Sequence, residues 1–265
     1  MRRRPAVSQA RSTWANSYYA SIVSDIAANL GAVRARIEEA ARRAGRDPAS
    51  VRLVAVSKTK PAEDIRRAHA EGQRDFGENY VQELAAKAAA LADLTDIRFH
   101  FIGHLQRNKA KLVARIASAV HTVDSVRLAV ELGKRAAEVR SQGAIRQSFA
   151  PVGNTSAAPL LVLAEVNVGG EAQKSGCSPD ELGRVLDAIE TEPSLRLAGL
   201  MTVPPHTEDP AGARRFFDEL VSVRDAHGGP SRLPELSMGM THDLEHAIAA
   251  GATIVRVGTA IFGER

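Results

Sequence analysis

Apolar residues at Ile22, Ile26, Leu30, Val33 and Ile37 recur every three or four positions, while Arg34, Arg36, Glu38 and Glu39 fall on the other phase. That period predicts an amphipathic helix ending near Gly45. Downstream, short apolar runs alternate with longer helical patterns. Strands are predicted at 51–57, 74–77, 98–103, 119–124, 160–168, 196–202, 235–238 and 253–258, and helices between them at about 62–72, 79–92, 107–117, 125–141, 179–191, 209–227 and 242–250. Strand bodies such as VRLVAVS are nearly continuous apolar runs, as in a parallel sheet covered on both faces. Eight strands alternating with helices predict an α/β fold, a single-domain (β/α)8 TIM barrel with the first helix added before strand 1. An open doubly wound sheet is the alternative.

Composition agrees with a folded domain: 265 residues, 44% hydrophobic and 25% charged, suffice for a substantial core. The net charge of +4 suggests a polyanion partner only until it is located. Arg2, Arg3, Arg4 and Arg11 account for all of it, and residues 1–20 contain no acid. The remainder is formally neutral, so no nucleic-acid partner is expected. The basic stretch QRNKAKLVAR (106–115) reads as a solvated helix face, without interleaved aromatics for base stacking. Residues 1–20 read as a disordered extension, with a transit-like presequence as the alternative, and the barrel domain is placed at 21–265. Residues 141–159, rich in Gly, Ser, Pro and Ala, read as a flexible insertion on the face away from the strand C-termini. The last barrel strand is followed only by a short tail, IFGER, so no second domain is expected after it.

No stretch approaches the ~20 apolar residues that span a bilayer, so no membrane partner is expected. One cysteine, Cys177, excludes an internal disulfide and suits a reducing, cytoplasmic setting.

In such a barrel, chemistry gathers where the strands end at their C-termini. Those ends carry Lys58, Glu78 and Asn79, His104, Asp124, Asn167, Met201 and Thr202, Ser237 to Thr241, and Arg256 to Thr259. SMGMTHDL places Ser237, Gly239 and Thr241 before a helix, and VRVGTAIFG places Gly258 and Thr259 just past strand 8. Glycines admit backbone N–H groups close to an anion, hydroxyls add donors, and the loops after strands 7 and 8 are a common phosphate site in barrels. The same residues also suit plain turns and a helix cap. Lys58 closes strand 1. A desolvated lysine amine is a nucleophile, and with a phosphate site across the barrel mouth it could hold a phosphorylated aldehyde at both ends. Pyridoxal 5'-phosphate (PLP) has those two handles. Lys60, beside Pro61, reads as a solvated neighbour.

The segments AVSKTKP (55–61), FGENYVQE (76–83), HFIGHLQRNK (100–109), VNVGGEAQKSG (166–176), GLMTVP (199–204) and LSMGMTHDLEHAIAAGATIVRVGTAIFG (236–263) together resemble the PLP homeostasis protein family, single-domain relatives of the alanine racemase barrel. The resemblance runs in matching order from about residue 20 to the C-terminus. It implies PLP bound as a Schiff base on Lys58, its phosphate held around Ser237 to Thr241 and Gly258 to Thr259, and Asn79 close to the cofactor. It also implies that Arg256 faces the pyridine nitrogen, where a guanidinium leaves that nitrogen unprotonated and weakens PLP as an electron sink. Thr241 stands where serine is common in the family, and His242 where acidic or small residues are usual.

Racemisation needs two bases on opposite faces of the substrate. In alanine racemase the second is a tyrosine from another domain. Here the tyrosines are Tyr18, Tyr19 and Tyr80, and none is evidently placed for that task. The sequence therefore points to a monomeric protein that holds PLP for intracellular homeostasis, with PLP-dependent apoenzymes as partners, an effect on amino-acid and keto-acid balance, and little or no catalysis. A PLP-dependent amino-acid racemase is the alternative, and a PLP-independent Schiff-base lyase a third. The histidines are scattered among different elements, and the His242–His246 pair lacks an HExxH glutamate, so no metal is expected.

Overall fold

A computed structural model describes residues 25–141, 158–171, 173–205, 207 and 209–264. The 1–20 extension, nearly all of the 141–159 insertion, and Ile22 at the start of the helical pattern lie outside the described residues. Eight parallel strands close into a barrel in sequence order: β1 (Arg52–Val56), β2 (Asp75–Glu78), β3 (Arg98–Phe101), β4 (Ala119–Val123), β5 (Leu160–Glu165), β6 (Leu195–Met201), β7 (Glu235–Ser237) and β8 (Ile254–Val257). Pairing of β1 with both β2 and β8 completes the ring. The open-sheet alternative is thereby excluded.

Around the ring run α1 (Ile26–Arg43), α2 (Ala62–Ala70), α3 (Val81–Ala90), α4 (Ala110–Ile116), α5 (Val126–Ser141), α6 (Pro179–Glu190), α7 (Arg214–Ala226), the short α8 (Gly229–Arg232), α9 (Leu244–Ala250) and the four-residue α10 (Thr259–Phe262). The predicted helices at 107–117 and 209–227 each begin as a 3-10 turn, at Arg107–Lys109 and Pro210–Ala213. The predicted fifth strand stops three residues early. After Glu165, Val166 donates to the Met201 carbonyl (2.8 Å) and makes an isolated bridge to Cys177.

Two apolar cores divide the labour. Val54, Ala119, Leu161, Leu163, Ala198, Met201 and Ile254 fill the barrel, and a larger cluster, including Phe76, Phe99, Leu132, Val162, Leu200 and Val255, seals the sheet against the helices. Strand alternation explains the division, since residues two apart share a face.

The helix before β1 is more than an addition. Because α10 is one turn long, the place of an eighth helix is open, and α1 fills it between α9 and α2 while packing on α10. Its buried stripe, Ile26, Leu30, Val33 and Ile37, is the one predicted. Asn29 donates to the Ile261 carbonyl (3.0 Å), and Arg36 donates to the Thr241 carbonyl (2.9 Å) and to both oxygens of Glu245 (2.7 and 3.0 Å). An N-terminal segment thus tethers both C-terminal loops.

Candidate functional site

β1 is followed by Ser57, whose hydroxyl donates to Glu78 Oε1 at 2.6 Å. Lys87, reaching in from α3, donates to the Ser57 carbonyl (2.7 Å), Glu78 Oε1 (2.7 Å) and Glu83 Oε2 (2.9 Å). Glu83 Oε2 also accepts the Thr59 N–H at 2.7 Å. This buried knot holds both neighbours of Lys58. Thr59 is the one described non-glycine residue with positive φ, at 64°, a conformation that disfavours β-branched side chains. Lys58 is half-buried and shares the inward phase of Val54. Lys60 donates to the Glu264 carbonyl at 2.7 Å.

β8 is the neighbour of β1, so the rim expected across the mouth from Lys58 lies beside it. Barrel closure joins the first and last strands, and a Cβ on Gly258 would sit 3.1 Å from the Val56 carbonyl oxygen. Gly239 takes φ +91° with its α-carbon turned toward Ala247, where a Cβ would lie 2.5 Å from the alanine methyl, and its carbonyl accepts the Arg256 N–H at 2.9 Å. The loops carrying Gly239, Thr241, Gly258 and Thr259 therefore share one rim. Thr241 is half-buried, whereas Thr259 and His242 are exposed. Asp243 Oδ1 accepts the Met240 N–H at 2.6 Å and fixes the β7 turn.

Ser237 lies deeper than that rim. Fully buried, its hydroxyl oxygen is 2.9 Å from His121 Nδ1 and accepts from Arg256 Nη1 at 2.8 Å. Arg256 Nη2 donates to the Thr202 carbonyl at 2.9 Å. Below, His121 Nε2 is 2.9 Å from His100 Nδ1, and His100 Nε2 is 2.9 Å from Asp75 Oδ1. Asp75 also accepts twice from Arg98, at 2.8 and 2.6 Å.

One assignment of protons satisfies the whole line. His100 donates to Asp75, His121 donates to His100, Ser237 donates to His121, and Arg256 donates to Ser237. Both imidazoles are then neutral. Burial, against the opposing pull of Asp75, keeps the His100 pKa below the ordinary histidine value and holds His121 well below it. Asp75 is pushed up by burial, but the Arg98 and His100 hydrogen bonds prevail and hold it well below the usual carboxylate range. Burial lowers Arg256 to about 10, still a cation at neutral pH. Neither of its two bonds uses Nε.

Opposite β1 in the ring, β5 directs Glu165 inward after Leu161 and Leu163. Burial first, then the like charge of Asp124, raise the Glu165 pKa to about 7, with Arg256 opposing. Asn79 follows Asp75 and Gly77 on the inward phase of β2. Its backbone is pinned by Gly103, where a Cβ would approach the Asn79 carbonyl oxygen to 2.1 Å. Asn79 Oδ1 and Glu165 Oε2 are both buried without a hydrogen-bond partner.

The other strand-end residues serve their own loops. Glu78 belongs to the Lys87 knot, and Asn167 Nδ2 donates to the Glu171 carbonyl. His104 stands exposed 3.6 Å from Asp124. Among the described residues, no group of three His, Cys, Asp or Glu side chains is disposed to hold a metal ion.

Sequence reading missed Lys87, Glu165, Asp75, His100 and His121 as parts of the site. For Glu165, His100 and His121 the available signal was a polar residue on the inward phase of an apolar strand, as in LLVLAE, RFHF and AVHTV. Lys87 carries no comparable mark, being one cation on an amphipathic helix.

A family model described as alanine racemase, N-terminal domain, matches residues 28–265. A Pseudomonas aeruginosa relative named pyridoxal phosphate homeostasis protein is 48% identical over 244 residues, covering 92% of this chain and 97% of the relative. An Aquifex aeolicus relative of the same name is 42% identical over 89% of this chain and 96% of its own length. Among solved structures, an unknown protein from Bifidobacterium adolescentis matches with TM-score 0.77 and 40% identity over 89% of this chain and 94% of that one. PipY of Synechococcus elongatus with PLP bound matches with TM-score 0.73 and 34% identity, covering 90% of this chain and all of PipY.

Proposed function

The chain belongs to the pyridoxal phosphate homeostasis protein family, which carries the alanine racemase N-terminal domain, and from that premise we propose that it binds PLP for intracellular homeostasis, as a Schiff base on Lys58. The observation that carries the reading is the setting of Lys58: inward-facing at the end of β1, beside the glycine turn of β8, with Arg256 fixed in the same mouth. The site fits the cofactor. Two buried side-chain oxygens, Asn79 Oδ1 and Glu165 Oε2, await a polar partner there. Gly239, Thr241, Gly258 and Thr259 form the rim suited to the phosphate. Arg256 would supply a donor to the ring through the Nε that its two bonds leave unused, and Ser237 orients the guanidinium. PLP itself supplies an aldehyde for an amine and an electron-withdrawing ring.

Borohydride reduction of the PLP-loaded protein followed by peptide mass mapping tests this reading. A pyridoxyl mass on the Lys58 peptide, absent from Lys58→Ala, is expected, and a label at any other lysine overturns it.

Little or no catalysis belongs to the same reading, in which Tyr80, the N-cap of α3 at 49% exposure, serves as no second base. Incubation with single L-amino acids in deuterium oxide should leave the α-proton unexchanged. Steady deuteration with appearance of the D-enantiomer, lost in Lys58→Ala, establishes the racemase instead. Monomeric, cytoplasmic operation with PLP-dependent apoenzymes as recipients completes the proposal, and sedimentation equilibrium checks the first of these. No helix among the described residues is long and apolar enough to cross a membrane.

A further inference from the structure

Glu165 is a buried titratable group to which the reading above gives a place in the site but no proton chemistry. It is 6% exposed, lies on the inward phase of β5, and faces the mouth from the strand diametrically opposite the one that ends in Lys58. Its Oε2 has no partner. Charged and titratable groups around it come from several elements. Asp124 lies at the end of β4 with His104 3.6 Å away, and Arg256 on β8 already donates through both Nη groups to Ser237 and Thr202. Cys177, from the returning loop, donates its thiol to the Glu165 carbonyl at 3.3 Å. Burial raises that thiol to about 12, so it stays neutral and contributes no charge. The cation that acts on Glu165 is therefore bonded elsewhere, and the acid that acts on it repels.

Resting on the reading of this mouth as a PLP site, we propose that Glu165 is a further cofactor-contacting residue, a carboxylic acid that carries a proton into the site and donates it as a hydrogen bond to the bound cofactor. Protonation at the orphaned Oε2 turns it into a donor and leaves Oε1 as an acceptor. The ionised form has no proton to donate and lies beside the like charge of Asp124. Its transition near pH 7 makes the cofactor's grip depend on pH in the physiological range.

The test measures PLP affinity and the visible spectrum of the PLP-loaded protein between about pH 6 and about pH 8 in wild type, Glu165→Gln and Asp124→Asn. Glutamine keeps the shape of the neutral acid and a donor. Wild-type affinity should fall about tenfold across the range, with a spectral change midway, while Glu165→Gln should stay within about twofold. Asp124→Asn removes a like charge but leaves Glu165 in place, so the wild-type transition should move to lower pH. A pH response unchanged in Glu165→Gln overturns the inference alone, because that variant still takes the borohydride label on Lys58. A wild type that takes up no PLP at all removes the proposed function and this inference together.

Discussion

Lys87 is only 6% exposed, and its charge is shared among the Ser57 carbonyl, Glu78 and Glu83. A buried ion pair adds little net stability over an apolar pair, but removing one partner strands the other. Lys87→Met should therefore cost about 3–5 kcal/mol in urea unfolding, and Lys87→Met combined with Glu78→Gln should recover more than half of that loss. Glu165 makes the opposite contribution. Its folded pKa lies above its unfolded value, so the native state binds the extra proton and stability falls as pH rises from about 4.5 to about 7. Glu165→Gln should be nearly neutral at pH 5 and stabilising at pH 8, by on the order of 3 kcal/mol at most, read from denaturant midpoints at the two pH values.

Two elements are bent to the needs of the site. The β1–α2 turn holds Thr59 at φ 64°, against the preference of a β-branched side chain, because its N–H is drawn to Glu83, while Ser57 before it is tied to Lys87 and Lys60 after it to the Glu264 carbonyl. Thr59→Gly should relieve that conformation and stabilise the fold by about 1 kcal/mol, measured by chemical unfolding, whereas Thr59→Val should not. At the other end of the chain, α1 packs on the one-turn α10, in the position of a full-length eighth barrel helix, and seats Leu30 in the core. Leu30→Ala should cost about 2–5 kcal/mol by the same measurement. Loss of PLP affinity in the folded variant should accompany it, because α1 also holds the Thr241 and Ile261 carbonyls.

Across the whole barrel, Asp75, His100, His121, Ser237 and Arg256 form a polar axis inside an otherwise apolar cylinder. Folded histidines held neutral lose ground when the unfolded chain can protonate, so their contribution is present above about pH 6.5 and is lost as pH falls below it. Glu165 has the opposite slope over part of the same range, and the two effects offset one another. Stability of Glu165→Gln should therefore rise more steeply between pH 5 and about pH 7 than that of the wild type. An equal slope in both proteins would count against the offset.

The amphipathic stripe of α1, the strand and helix order, the glycines of the β7 and β8 turns and the lysine ending β1 were all legible along the chain, because periodicity and turn chemistry are local properties. Only closure of the ring decided that Lys58 and Gly258 are neighbours and that α1 serves as the eighth helix. Closure likewise decided that five side chains from five strands share one line of hydrogen bonds, and that Glu165 faces the strand bearing Lys58. Those relations join residues up to about two hundred positions apart, and no local period encodes a distance across a barrel.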